Sequence, residues 1–181
     1  MPILYLAKIN LNSNIFDVYD EKLVLDDVFN LIHEKVNNNY EITIEKKEKY
    51  IDAFGNAKEY VKISKYMFQE IKKKEQNVIT GKVVRSYKKP NEELDKTRKQ
   101  MIKTFVEENV SIYFYYDVRR EMVTFCERQS FGYNQFMSAF VGLLNKCVEK
   151  YEFEIFLQKD KDVLDEKLKN LGSFVPSVDK K

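Results

Sequence analysis

Hydrophobic and polar positions follow the same plan at the two ends of this chain. Residues 3–48 and residues 109–158 each predict, in order, a strand, a turn, a second strand, a helix and a closing strand. The predicted strands are rich in β-branched and aromatic residues, whereas the predicted helices place apolar residues three or four positions apart. Few residues are identical between the two units. The pattern therefore predicts either pseudo-duplicated β-β-α-β units or two convergent units of a common α+β type.

Each unit needs a second layer to bury its apolar face, because a one-faced sheet or a one-striped helix does not bury itself alone. We therefore predict one α+β domain over residues 1–172, with a curved, mostly antiparallel sheet and helices on one face. The predicted strands of the two units are 3–9, 15–19, 40–45, 110–116, 122–126 and 151–157, and the predicted helices are 26–37 and 131–149. A final helix is predicted at 160–171, followed by a flexible tail at 173–181.

The segment that links the two units, residues 49–107, predicts two further strands and a helix. The strands are at 58–64 and 78–87. Gly81 inside the second strand indicates a β-bulge or a close approach of another backbone. Pro90 is expected to stop that strand because proline lacks the N–H that a sheet ladder needs. A polar surface helix is predicted over residues 91–106.

The same segment contains the most basic part of the chain. Residues 72–103 contain eleven Lys or Arg and four Asp or Glu, a net charge of +7 in a chain whose total is +2, so the remainder carries −5. Clustered cations release counterions from a phosphate backbone, and a tyrosine among them offers a ring for a base to stack on. The predicted nucleic-acid-binding residues are Lys82, Arg85, Tyr87, Lys88, Lys89, Lys96, Arg98, Lys99 and Lys103. The alternative is a solvated edge strand, on which lysines prevent edge-to-edge aggregation, and an ordinary surface helix.

The strand predicted at 110–116 has aromatic residues at successive positions, so it presents rings on both of its faces. We expect one face in the core and the other on a surface that contacts a partner. A charged turn follows at 117–121. The predicted partner-binding residues are Tyr113, Tyr115, Arg119 and Arg120.

Recognisable catalytic chemistry is missing from the sequence. The one histidine, His33, lies in the first predicted helix, and there are only five glycines, with neither a P-loop nor a G-x-G-x-x-G motif. One histidine and two separated cysteines, Cys126 and Cys147, do not predict a zinc site. We therefore expect no metal and no cofactor. A metal-independent nuclease that uses Arg, Lys, Glu or Tyr side chains stays open, since such a site has no sequence signature.

The cellular setting is predicted from cysteine usage and hydropathy. Two cysteines make no disulfide framework, which favours a reduced cytoplasmic environment. No apolar run approaches the roughly 18 residues that a membrane-spanning helix needs. The first residues also lack the basic and apolar regions of a signal peptide. We expect a cytoplasmic protein with no membrane partner.

The second half of the chain contains a recognisable series of elements. In order, they are residues 78–85 with Gly81, a polar helix, residues 112–117, the Phe131–Phe136–Phe140 stripe and residues 153–155. This series resembles a group of bacterial proteins associated with phage exclusion and abortive infection. Several of these proteins have a fold of the TATA-box-binding-protein type, a pseudo-duplicated curved sheet with helices on one face. The resemblance spans residues 78–158. It implies a sheet-and-helix scaffold, self-association and a role in phage defence, and it implies no active site in this chain.

Three hypotheses for function follow. The leading one is a non-catalytic subunit of a bacterial phage-defence-type system that binds DNA, RNA or a protein through the basic segment and an open sheet face. The second is a scaffold protein that forms homo-oligomers or complexes through its Tyr- and Phe-rich strands. The third is the metal-independent nuclease.

Overall fold

The computed structural model describes residues 3–12, 18, 20, 23–51, 57–74, 77–95 and 100–158. The elements are β1 (Leu4–Leu11), α1 (Leu25–Lys35), β2 (Glu41–Ile51), β3 (Ala57–Lys74), β4 (Val78–Asp95), β5 (Gln100–Asp117), β6 (Met122–Cys126), α2 (Tyr133–Cys147) and β7 (Phe153–Leu157). This arrangement confirms the α+β class.

All seven strands belong to one antiparallel sheet that curls into a half-barrel, with the order β2-β3-β4-β5-β6-β1-β7. Strands β2 to β6 are neighbours in chain order. Strand β1, in contrast, lies between β6 and β7, so that Leu4 is opposite Cys126 and Leu11 is opposite Phe153. The sheet is therefore completed by pairing residues from opposite ends of the sequence.

Helices α1 and α2 pack on the same face of the sheet and form the core with it. Alternate strand residues point into this core because successive side chains of a strand point to opposite faces. Phe140 of α2 lies at its centre, and its ring contacts the rings of Phe68, Phe114, Tyr116 and Phe136 at centroid distances of 5.0–5.6 Å. The helices predicted at 26–37 and 131–149 are confirmed within two residues at each end.

The polar helix predicted at 91–106 is wrong. Strand β4 runs through Pro90 to Asp95, and its residues pair with a β5 that already begins at Gln100. Proline is tolerated because β3 pairs with β4 only as far as Tyr87, which leaves one side of β4 without a ladder beyond that point. β-branched residues at 102, 104 and 106 favour the strand. The few apolar residues at helical spacing in 91–106 stabilise a helix less than the pairing of β4 with β5 stabilises the two strands.

Strands β2 to β5 extend beyond the sheet as two ribbons. Pairing of β3 with β4 ends at Ser64 and Tyr87, whereas β2 continues to pair with β3 down to Ile51–Ala57, and β4 with β5 out to Asp95–Gln100. Because the two continuations start from the same pair of residues, both ribbons project from the same end of the sheet.

Three sequence predictions fall wholly or mainly outside the described residues: the strand at 15–19, the helix at 160–171 and the tail at 173–181. Val18, the one described residue of the first, has helical backbone. The described strands do not show the predicted duplication. β7 pairs with β1, whereas β2 pairs with β3, so the closing strands of the two units occupy different places in the sheet.

Candidate binding face of the sheet

The face of the sheet opposite the helices has no helix packed on it among the described residues. We call it the open face. It is formed by Leu4 and Leu6 of β1, the odd-numbered residues 63–69 of β3, the even-numbered residues 80–88 of β4, the odd-numbered residues 107–115 of β5, and Thr124 and Cys126 of β6. An uncovered antiparallel face is normally polar. Large apolar or aromatic side chains there indicate a binding surface.

One half of the open face is aromatic. Tyr113 and Tyr115 are 58% and 45% exposed, although they lie in the centre of the sheet. They border a groove of about 560 Å³. Its lining residues are Leu4, Tyr113, Phe114, Tyr115, Thr124, Phe125, Cys126, Glu127 and Arg128. We call this the aromatic groove.

The other half of the open face is polar. A second groove, of about 500 Å³, is lined by Glu41, Lys65, Met67, Gln69, Lys82, Val84, Ser86, Glu107, Asn109, Val110 and Ser111. We call it the polar groove. The two grooves are adjacent, because Lys82 of the polar groove is directly opposite Tyr113 of the aromatic groove in the β4–β5 ladder.

Two hydrogen bonds order the polar groove. The Ser86 hydroxyl donates to Glu107 Oε1 at 2.6 Å, and Lys82 Nζ donates to Glu70 Oε1 at 2.7 Å. The hydrogen bond from the ammonium to Glu70 raises the pKa of Lys82, and this effect outweighs the opposing effect of desolvation. Lys82 therefore stays protonated beside Tyr113, in an ion pair with Glu70.

Arg85, a predicted nucleic-acid-binding residue, points away from the open face. It is 4% exposed, and its Nη1 donates to Ser130 O at 2.6 Å and to Gln135 Oε1 at 3.3 Å. Its Nε and Nη2 both donate to Ser64 Oγ, and its guanidinium stacks over the Tyr87 ring at 4.2 Å. Arg85 and Tyr87 thus contact each other, and Arg85 also binds Gln135 of α2. Neither residue belongs to the candidate binding surface.

The other predicted basic residues are dispersed. Lys88 is exposed, and exposed Lys89 lies 3.4 Å from Glu108. Lys103 belongs to β5, while Lys96, Arg98 and Lys99 lie outside the described residues.

The charged turn between β5 and β6 is separate from the tyrosines that were predicted with it. Exposed Arg119 lies 3.8 Å from Asp26 in the first turn of α1, which places it towards the helices. Exposed Arg120 lies 3.7 Å from Asp117 within the turn itself. Of the four predicted partner-binding residues, the structure places Tyr113 and Tyr115 together in one groove.

Sequence reasoning missed most of the other residues of the two grooves. Lys65, Gln69, Asn109 and Ser111 were not singled out, and neither were Leu4, Thr124 and Cys126. The polar ones have a signal in the sequence, because they alternate along their strands with apolar residues that enter the core. Their place beside Tyr113 required knowledge of the strand order.

A small cavity under α1 is lined in part by the carboxyl group of Glu121. The cavity, of about 10 Å³, is lined by Ile9, Leu11, Leu25, Val28, Phe29, Ile32, Tyr116, Glu121 and Phe153. Burial raises the pKa of both Glu121 and Tyr116, and Lys8 at 3.8 Å partly offsets this for Glu121. Such a volume holds about one water molecule, so it is not a substrate site.

Other chemistry is sparse in the part of the chain that the structure describes. No three His, Cys, Asp or Glu side chains there converge closely enough to hold a metal ion. His33 Nε2 lies 3.2 Å from the carbonyl oxygen of Lys74.

Neither of the two helices described has the length and apolar composition needed to cross a membrane.

Comparison of the chain with protein-family models, with curated proteins and with solved structures finds no significant match. The case for function therefore comes from the open face itself.

Proposed function

We propose that this protein is a non-catalytic binding protein whose open face takes single-stranded nucleic acid, in a bacterial defence system of the kind that the sequence resemblance implies. One observation carries the proposal: Tyr113 and Tyr115 lie exposed, side by side, on a central strand of the helix-free face. Two exposed rings at the centre of a sheet add little to the stability of the fold. Their exposure therefore favours a role in binding a ligand.

Stacking explains why the ligand is a nucleic acid. Residues two apart on a strand are separated by about 7 Å, so each tyrosine ring offers a separate platform for one base. Exposed aromatic side chains on an open antiparallel sheet stack unpaired bases in this way. Paired bases are inaccessible to such rings, and we therefore expect single strands to bind and duplexes to bind weakly.

Lysines on the open face supply the contacts to phosphate, and Lys82 is directly opposite Tyr113. Lys65 and Lys82 line the polar groove, and Lys88 lies on the same face of β4. Glu41 and Glu107 in the same groove reduce the positive potential. Stacking is therefore expected to supply more of the affinity than charge does.

The test is a fluorescence-anisotropy titration of labelled single-stranded RNA, single-stranded DNA and duplex DNA at several salt concentrations. Removal of one ring that stacks on a base costs about 1–3 kcal/mol, so the Tyr113→Ala/Tyr115→Ala double variant should bind at least tenfold more weakly. Phe156→Ala is the matched control, since Phe156 is 49% exposed but lies three strands away on β7. Unchanged affinity in the double variant would contradict the proposal.

Salt dependence tests the lysines separately. Removal of one lysine that binds a phosphate should reduce the slope of log affinity against log salt by about 0.7 for a single strand. Lys65→Ala and Lys82→Ala should each show this reduction, whereas Lys150→Ala should not, because exposed Lys150 lies in the turn after α2, next to Tyr151.

A second candidate function is assembly with another protein. Leu4 at the rim of the aromatic groove is 67% exposed, and Phe105 and Val106 on the β4–β5 ribbon are 68% and 50% exposed. Protein contacts would bury exposed apolar side chains of this kind. Absolute mass measured alongside the titration tests this: an oligomer that dissociates on Leu4→Asp, together with no affinity for nucleic acid, would favour assembly.

A further inference from the structure

The polar groove continues the row of β5 side chains to which the two tyrosines belong. Odd-numbered residues 107–115 share the open face, and along the strand they change from aromatic at Tyr115 and Tyr113 to polar at Asn109 and Glu107. Asn109 and Glu107 both line the polar groove. Tyr113 and Asn109 are four residues apart on the strand, a distance of about 14 Å. A ligand that lies along β5 therefore contacts both grooves.

Lysines on β4 accompany this row on one side. Lys82 is opposite Tyr113 in the β4–β5 ladder, and Lys88 is opposite Glu107. Both lysines lie on the open face, since even-numbered residues of β4 point there. A single strand whose phosphates follow these lysines lies along β5, with its bases over the side chains of that strand.

Glu107 is an unexpected residue on a surface that contacts phosphates, because its carboxylate repels them. The structure nevertheless holds this carboxylate in the groove, where the Ser86 hydroxyl donates to Oε1 at 2.6 Å. A carboxylate accepts hydrogen bonds and donates none. It is thus suited to the edge of a base that carries N–H donors, while the phosphates lie on the lysine side.

Guanine is the base whose edge matches Glu107 and Asn109 together. Its Watson–Crick edge has two adjacent donors, N1–H and the N2 amine, next to the acceptor O6, and a carboxylate can accept from both donors at once. Exposed Asn109 is about 7 Å further along the strand, and its amide can donate to O6. Adenine and cytosine offer a carboxylate one amine, and uracil offers one N–H between two carbonyls.

We propose that the polar groove binds one guanine of the single strand, with Glu107 accepting from N1–H and the N2 amine and Asn109 donating to O6. Sequence-specific recognition of single strands generally reads the Watson–Crick edges of splayed bases in this way. The inference rests on the proposed function and adds a base preference to it.

The test is an anisotropy titration with labelled oligouridine or oligothymidine, whichever binds more tightly, that carries one guanosine, adenosine or inosine at its centre. Adenosine has a purine ring for stacking but lacks N1–H and the N2 amine, whereas inosine lacks only the amine. The guanosine probe should bind at least about fivefold more tightly than the adenosine probe, which is the discrimination expected of a bidentate contact, and inosine should lie between them. Equal affinity for the three probes would overturn the inference.

Glu107→Gln tests the carboxylate itself. It should remove most of the preference for guanosine over adenosine, because an amide has one acceptor oxygen and adds a donor. Its affinity for the unsubstituted oligonucleotide should stay the same or rise, which also shows that the variant is folded. The matched control is Glu108→Gln, since Glu108 is the next residue, lies on the other face of β5 and is 3.4 Å from Lys89. A guanosine preference that survives Glu107→Gln, or is lost equally in both variants, would contradict the assignment.

The same titrations separate this inference from the proposed function. If the unsubstituted oligonucleotide binds through Tyr113 and Tyr115 but guanosine adds nothing, the proposed function stands and the guanine site fails. If the guanosine preference depends on Glu107 but not on the tyrosines, the guanine site stands and stacking on the tyrosines fails. Absence of binding by every probe would overturn both.

Discussion

Four consecutive residues of β5 show how differently the two faces of this sheet are used. Phe114 and Tyr116 are 4% and 1% exposed under the helices, whereas Tyr113 and Tyr115 are 58% and 45% exposed on the open face. The two faces are equally aromatic at this point, yet only one of them is covered by described residues. Aromatic residues thus stabilise the fold on one face, and on the other they are available for recognition.

The largest expected contrast is between neighbours on β5. Phe114→Ala should lower the free energy of unfolding by about 3–5 kcal/mol, because the ring is buried against Phe68 and Phe140. Tyr113→Ala should change it by less than about 0.5 kcal/mol. Urea denaturation of both variants measures this. Similar losses in both would mean that the open face is covered.

Basic residues of β4 should show the same contrast on a smaller scale. Arg85→Ala removes hydrogen bonds to Ser64, Ser130 and Gln135 inside the protein, and we expect a loss of about 2–3 kcal/mol. Lys82→Ala removes one ion pair at the open face and should cost clearly less than Arg85→Ala. The same denaturation measurement applies. A larger loss for Lys82 would reverse the assignment of these two residues to structure and recognition.

Two glycines test how tightly the covered face is packed. A Cβ at Gly81 would lie 3.1 Å from the backbone oxygen of Gln69 and 3.3 Å from the Phe114 ring, so Gly81→Ala should cost about 1–3 kcal/mol. A Cβ at Gly142 would meet only the tip of Ile42, a flexible side chain. Because alanine also favours the helix by about 1 kcal/mol, Gly142→Ala should be close to neutral. Thermal unfolding of the two variants distinguishes them, and equal tolerance would indicate a loosely packed sheet.

The two cysteines give the smallest but most direct contrast. Cys147 faces the core, and burial raises the pKa of its thiol to about 12, so at pH 8 it should react roughly a thousandfold more slowly than an ordinary cysteine. Cys126 lies on the open face and should react first. Labelling with a coloured disulfide reagent, before and after unfolding, counts the two thiols. Rapid reaction of both in the folded protein would contradict the burial of Cys147.

Local periodicity predicted the fold class, both helices and the central parts of the strands, because each of these depends on neighbouring residues. It failed at 91–106, where a thin helical stripe competed with an eighteen-residue ladder between β4 and β5. Ladder pairing is a property of two segments, so one segment alone does not reveal it. The insertion of β1 between β6 and β7 has the same cause.

The candidate site was predicted only in part, and for a related reason. Tyr113 and Tyr115 were expected on a partner surface, and their exposure agrees with that, but binding itself stays a prediction. Lys82 and Arg85 were grouped because they are close in sequence, although residues three apart on a strand point to opposite faces. Charge clustering along the chain therefore overstates charge clustering in space.

The place of β1 also has a consequence for how the protein is made. Of the described strands, β1 leaves the ribosome first, yet both of its partners, β6 and β7, are synthesised last. During translation β3, β4 and β5 can each pair with the strand made just before them, and β2 gains its partner as soon as β3 emerges, while β1 has no partner until β6 is made. Its apolar residues Ile9 and Leu11 must stay unpaired until nearly all of the described chain has emerged. The strand that is made first is therefore among the last to find its place.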